Sequence, residues 1–444
     1  MKILETVNKN KEQIIEDLRG LLKIDSTLVE NPESTTSPFG EGIRESLDYV
    51  LSLGEKMGFK VRNIKNVAGH IEFGEGEEIV GILCHVDVVP AVGNWKYPPF
   101  SGTVEDNRIY ARGAIDDKGP TIAALYALKV LKDLGFKPNK RIRLIIGTDE
   151  ETNWRGIKEY FKNCEMPEVG FSPDADYPVI YGEKGIMSID IIGKSTSGIK
   201  FQAGDRYNVV PDEARALISK DLEKDFSEYL EATGLKGKYG DELVVYGKAA
   251  HAMEPNLGLN ALVKLCQFLY RFIDDPFIRF VNDNLSDSRF KCINLDFSDP
   301  EMKDLTVNVA FLKIGTGEDR LGINLRYPIN WDKEIFLKEF GKIADSYGLE
   351  AKVRSDQTPH YIDKNDPLVK TLHQAYIEFT GDDKTPLLTI GGGTYARALK
   401  KGVAFGILFP GREELAHQVD EYLEIDDLIL STAIIAKAVY ELGK

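Results

Sequence analysis

Apolar residues recur at helical spacing near the start of the chain, where Ile14, Ile15, Leu18, Leu21 and Leu22 mark an amphipathic helix over residues 10–23. Residues 79–89 form instead an almost unbroken apolar run, the pattern of a strand buried on both faces. A second helix is predicted over residues 120–134, opened by Pro120, a favoured first-turn residue, and closed before Gly135. Ile142 to Ile146 reads as another short buried strand. Strand, helix, strand in this order implies right-handed crossovers and a mostly parallel sheet with helices on both faces. Near residue 187 the pattern changes: strands (MSIDIIG, LVVYGK, LTVNVAFLKIG, GINLRYP) separated by helices suit an α+β domain. After Pro367 a helix (LVKTLHQAYIEF), a Gly-rich turn, a strand (VAFGILF) and an apolar helix over Leu428–Leu442 follow. The predicted layout is an α/β domain made from residues 1–186 and 363–444, interrupted by an inserted α+β domain over residues 187–362.

Composition agrees with this picture and removes several functions. A chain of 444 residues allows two to four domains at roughly 100–200 residues each. Its 56 Lys+Arg against 71 Asp+Glu give a net charge of −15. That balance argues against nucleic acid and against an anionic membrane surface, both of which need clustered cations. Nothing approaches the roughly 18–20 apolar residues of a membrane span, and MKILETVNKNKEQ has no signal-peptide core. The expected location is the cytoplasm. Cys84, Cys164, Cys266 and Cys292 lie far apart with no CxxC pair, so neither a disulfide framework nor a thiolate zinc site is expected. A metal site here must be built from carboxylates and from some of the 6 His.

Four clusters carry such groups: Cys84-His85-Val86-Asp87, the turn Arg112 to Gly119 (RGAIDDKG), Thr148-Asp149-Glu150-Glu151, and Ser172-Pro173-Asp174-Ala175-Asp176. Taken singly, each has an ordinary reading: a structural His, a solvated helix start favoured by the helix dipole, or surface charge. Three of them follow apolar segments, however, where the carboxyl ends of sheet strands would gather them at one rim. Carboxylates packed that closely cannot all stay ionised without cations, and imidazole with carboxylate suits zinc, with manganese or cobalt as close alternatives.

Through GILCHVDVVPA, ARGAIDDKGPTIAALYALK, IIGTDEET, GFSPDADYP, GEKG, AAHAMEP, NLRYP, GGGTYAR and AHQVDE, the chain resembles a known family over nearly its whole length. These are the dinuclear-metal peptidases that include glutamate carboxypeptidase, aminoacylase, succinyl-diaminopimelate desuccinylase and carnosinase, and within them the PepV-type bacterial dipeptidases. The resemblance implies two divalent ions per chain. His85 and Glu151 would hold one and Asp174 and His417 the other, with Asp116 bridging both through a turn that can carry a cis peptide bond to Asp117. It makes Asp87 the partner of the far nitrogen of His85, and Glu150 the general base that moves the proton between water and the leaving amine.

The same resemblance gives the inserted domain the part of a lid. His251 would stabilise the oxyanion, Asn208 would assist it and touch the substrate, and Arg326 would pair with the substrate's carboxylate. Gly391, Gly392, Gly393 and Thr394 would line the substrate's C-terminal part; this run is no dinucleotide fingerprint, since no Rossmann strand precedes it. His70, His360 and His373 match no motif and are read as structural or surface residues. With an insert of this length, the PepV-type resemblance implies a lid that supplies His251 within one chain, a monomer, and a free dipeptide as substrate. One departure is the loop GNWKYPPFSG, shorter and more basic than its dipeptidase counterpart, which leaves side-chain preference open. Competing readings are an N-acyl amino acid amidohydrolase or carboxypeptidase of the same family, and a non-catalytic peptide- or metal-binding protein.

Overall fold

The computed structural model describes residues 2–315 and 317–444. These divide into two compact units: one comprises residues up to Tyr181, Ile362–Leu388 and Thr394–Lys444, and the other Gly182–Tyr361 with Thr389–Gly393. The inserted segment thus begins a few residues before the expected position 187, and it recruits Thr389–Gly393 from the later part of the chain. Two long-range hydrogen bonds tie it there: Lys184 N donates to Ile390 O at 2.9 Å, and Arg326 Nη1 donates to Gly391 O at 2.9 Å.

In the first unit the apolar segments assemble as a mixed sheet. Its centre is parallel, with Arg141–Gly147 and Val169–Ser172 flanking Ile79–His85, and Gly402–Ala404 beyond Val169–Ser172. At one edge Lys60–Ile64 and Ala68–Phe73 add antiparallel as a hairpin, and at the other Ala404 pairs antiparallel with Ile180. Within this sheet, parallel pairing is confined to the four central strands. All seven residues of Ile79–His85 are buried, as the unbroken apolar run requires. The strand stops at His85 rather than continuing to residue 89.

Helices cover both faces, and side-chain alternation along Ala68–Phe73 shows how. His70 faces helix Arg155–Asn163, where its Nδ1 lies 2.8 Å from the Tyr160 hydroxyl. Gly69 and Ile71 face helix Glu41–Lys56, meeting Leu51 and Gly54. Helix Lys118–Asp133 is buried over most of its length, packing on Ile79–His85, on Lys11–Leu22 and on the terminal helix Ile425–Leu442. It begins two residues before Pro120, which lies inside the first turn. The segment VAFGILF is not one strand: it breaks into Gly402–Ala404 and Ile407–Leu408 at Gly406, whose φ of 86° disfavours any side chain.

The second unit is an eight-stranded sheet in which every neighbouring pair is antiparallel. Helices Glu223–Thr233, Ala261–Leu269, Pro276–Asn284 and Lys333–Ser346 contribute to its apolar core, with Phe201, Phe268, Phe280, Phe340, Ile323 and Leu325 among the buried residues. Asp275 caps Pro276–Asn284 by accepting from Phe277 N at 3.0 Å, and Asp332 caps Lys333–Ser346 by accepting from Ile335 N at 2.9 Å. The edge strand Glu350–Gln357 is largely exposed and charged, which discourages further pairing. No helix among the described residues is long and apolar enough to cross a membrane.

Candidate metal centre

Three adjacent parallel strands of the first unit deliver acidic groups to one rim. His85 ends the central strand, Glu150 and Glu151 follow Arg141–Gly147, and Asp174 follows Val169–Ser172. Asp116 precedes the crossover helix Lys118–Asp133, and its peptide bond to Asp117 is cis. His417 arrives from the C-terminal part of the chain with a left-handed φ of 67°, uncommon for a residue bearing a Cβ.

These side chains fall into two groups that can each hold a metal ion, with ligand atoms within 4.8 Å of one another: His85, Asp116 and Asp174, and Asp116, Glu151 and His417. Asp116 serves both. Its Oδ1 lies 3.1 Å from His85 Nε2, and its Oδ2 lies 3.0 Å from His417 Nε2. Asp174 Oδ2 stands 3.4 Å from His85 Nε2, and Glu151 Oε1 stands 3.0 Å from His417 Nε2. The pairing therefore differs from the one expected, which joined His85 with Glu151 and Asp174 with His417. Glu151 N–H also donates to Asp87 Oδ2 at 3.1 Å, tying its loop to the strand end at Asp87.

The donor set fits divalent cations. His85 Nε2 and Asp116 Oδ1 are both buried and both lack a hydrogen-bond partner, although only 3.1 Å apart. The separation is that of a bond but the angles are not, as when two ligand atoms aim at a common centre. Burial pushes Glu151 up to about 7, with the Asp116 carboxylate adding to the effect, and burial also raises Glu150 and Asp174. Asp116 and Glu151 pull His417 up to about 11. Burial alone would depress His85, yet Asp116, Asp174 and Asp87 hold it well above the usual imidazole range. Burial opposes ionisation of Asp116 too, but His417 and His85 keep it well below the usual carboxylate range. A nest of carboxylates that keeps its own imidazoles protonated has the electrostatics of a cation site.

The surroundings hold the ligands in place. His85 Nδ1 sits 3.0 Å from the main-chain carbonyl of Asp87, while the Asp87 carboxylate is 3.5 Å away. The carbonyl, rather than the expected carboxylate, is thus the nearer partner, because the chain leaves the strand at His85. Asp117 Oδ2 accepts from His85 N at 2.8 Å, and Thr121 Oγ1 donates to His85 O at 3.1 Å. Asp149 anchors the loop carrying Glu150 and Glu151 by accepting from Arg155 Nε and Nη2, both at 2.8 Å. Glu150 belongs to neither ligand group among the described residues. Tyr395, to which sequence reasoning gave no role although it lies in GGGTYAR, is fully buried with its ring edge-on to His85 and Trp154 at 5.9 and 5.2 Å. A Cβ at Gly147 would fall 1.9 Å from its hydroxyl, so only glycine leaves Tyr395 room beneath His85. Thr394 starts the following turn, its Oγ1 accepting from Ala396 N at 3.2 Å.

The remaining expected residues lie in the second unit. Val209 and His251 form an antiparallel bridge, and Ala252 N donates to Asn208 O at 2.9 Å, so Asn208 and His251 sit on paired segments, both exposed. Arg326 is buried on strand Arg320–Tyr327, its Nε donating to Asn324 Oδ1 at 2.8 Å and its Nη1 to Gly391 O. Gly391 and Gly392 lie against Met253, two residues from His251.

An α/β unit with a carboxylate–imidazole nest at its strand ends, sharing one aspartate between two ligand groups, defines the class of dinuclear metallohydrolases. Comparison with known proteins narrows this. Residues 81–441 match the model of Peptidase family M20/M25/M40. The chain is 46% identical to a candidate dipeptidase of Bacillus subtilis (strain 168), covering 99% of both proteins. It is 42% identical to another from Staphylococcus haemolyticus (strain JCSC1435), covering 99% of this chain and 98% of the relative. Among solved structures, human carnosine dipeptidase 1 shares the fold, with a TM-score of 0.61 at 14% identity over 100% of this chain and 98% of that one. The chain belongs to Peptidase family M20/M25/M40, a family of metallopeptidases.

Proposed function

We propose that this metallopeptidase is a dipeptidase, hydrolysing the single peptide bond of free dipeptides. The observation that carries the reading is the pair of ligand groups sharing Asp116, beside a half-buried glutamate, Glu150, that neither group uses. Full-length similarity to candidate dipeptidases supports the choice of substrate. His85, Asp116 and Asp174 would hold one ion, and Asp116, Glu151 and His417 the other. Zinc is the favoured metal, with manganese and cobalt suited to the same ligands. Two such ions, when bound, would polarise the scissile carbonyl and lower the pKa of a shared water toward ~7.

The protein's own groups divide the remaining work. Glu150 takes the proton of the attacking water on a carboxylate oxygen and delivers it to the leaving amine nitrogen. Asp87 and Asp117 hold His85 in orientation, the first through its carbonyl and the second through the His85 N–H. His251 donates to the developing oxyanion, Asn208 assists, and Arg326 with Gly392 and Thr394 receives the substrate's carboxylate end. In this reading residues 187–362 act as a lid that closes around a short substrate, the chain works as a monomer, and its four unpaired cysteines suit the cytoplasm.

The test is a panel of free dipeptides against N-acetyl and N-succinyl amino acids, assayed with metal-stripped protein reloaded with Zn²⁺, Mn²⁺ or Co²⁺. Dipeptides should be cleaved and the acylated amino acids left intact. Preference for acylated amino acids would replace this reading with the amidohydrolase one.

A further inference from the structure

We infer that Glu421 is a positioning residue: one buried carboxylate that fixes the turn carrying Asp116 and the loop carrying His417 relative to each other. Glu421 is fully buried. Its Oε1 accepts from Ile115 N at 2.9 Å and, at the long end of bonding distance, from Asp116 N at 3.4 Å. Its Oε2 pairs with Arg112 Nη1 at 2.5 Å, and the same Nη1 donates to Gln418 O at 3.3 Å, one residue beyond His417. Both ligand-bearing segments are thus tied to one ion pair, across more than 300 positions of sequence.

The arrangement needs these particular groups. Arg112 is itself buried, stacks 5.1 Å from the Trp95 ring and leaves its Nε without a partner. A burial that costly persists only when the opposing charge is well placed. The loop from His417 to Glu421 holds left-handed backbone at His417 and Asp420, and Ala111 N donates to Glu421 O at 3.1 Å to dock it. Asp116 offers one oxygen to each ligand group, so a displacement of its turn degrades both. Groups that orient metal ligands from behind typically change metal affinity ~10–100-fold when removed.

The inference rests on the two-metal reading, and its test separates the two. The full-length protein is stripped of metal and titrated with Co²⁺, following visible absorption, alongside Glu421→Gln and the double variant Arg112→Met/Glu421→Gln. Melting of each metal-free protein is recorded in parallel. Glu421→Gln should bind Co²⁺ ~10–100-fold more weakly with an altered absorption band. The double variant leaves no unpaired buried charge, so its melting should return toward wild type. It also severs the tie to Gln418, so its Co²⁺ affinity and band should stay altered. This variant carries the test if Glu421→Gln fails to fold. Wild-type affinity and spectrum in the double variant would overturn the inference and leave the pair a packing element. Wild-type protein that takes up no Co²⁺ would overturn the metal reading, and this inference with it.

Discussion

The buried carboxylates of the second unit and those at the strand ends of the first are built on opposite plans. In the second unit Asp275 and Asp299 have donors of their own. Asp275 accepts from Ser195 Oγ, Ser197 Oγ and Phe277 N, and Asp299 accepts from Glu301 N, Met302 N and Asn330 Nδ2. In the first unit Asp116, Asp117, Glu150, Glu151 and Asp174 face one another. Polar atoms of His85, Asp87, Asp116 and Asp117 lie buried without hydrogen-bond partners. The first plan stabilises a fold by satisfying polar groups. The second leaves a demand for positive charge that the protein alone meets only by protonating its own side chains.

The sharpest way to break this contrast is Asp116→Ala. Its two oxygens serve both ligand groups, so bound divalent metal should fall to background by elemental analysis, together with dipeptide turnover. Glu150→Gln comes next: metal content should be unchanged, while kcat falls by about 10²–10⁴. Near-normal turnover in that variant would remove Glu150 from the chemistry. Asp275→Ala should do the reverse of both. It costs about 2 kcal/mol of stability in chemical denaturation, from a lost cap and two orphaned serines, and leaves metal binding intact.

The smallest effect concerns a histidine that the site does not use. Burial, with Arg143 nearby, depresses His70 from 6.5 to about 3, so the folded state keeps it neutral and bonded to Tyr160. The unfolded chain then binds more protons below pH ~6.5. Stability is complete above that pH and is lost as pH falls toward about 3, at about 1.4 kcal/mol per unit. His70→Gln should flatten this limb. Relative to its own stability at pH 7, it should lose about 2 kcal/mol less than wild type at pH 5.

The sequence made the clusters legible because each is local: a charged triplet or turn at the end of an apolar run, as with His85 after GILC and Glu150 after RLIIG. The main helices were legible for the same reason, their periodicity lying within a single segment. What escaped was non-local. Which carboxylate meets which imidazole depends on how separate strand ends and the His417 loop meet in space. The affiliation of Thr389–Gly393 depends on Lys184 and Arg326, far away in sequence. Glu421 and Arg112 sat inside recognised motifs, but a buried ion pair spanning the chain leaves no periodic trace. The break in VAFGILF had a local signal, Gly406, outweighed by the apolar residues around it.

The central claim is that the strand-end carboxylates of the first unit exist to hold two cations. The most direct test is metal stoichiometry by calorimetric titration of stripped wild-type protein with Zn²⁺, beside Asp116→Ala. Two ions per wild-type chain are expected, and none held tightly by the variant. Equal uptake by both proteins, or none by the wild type, would contradict it.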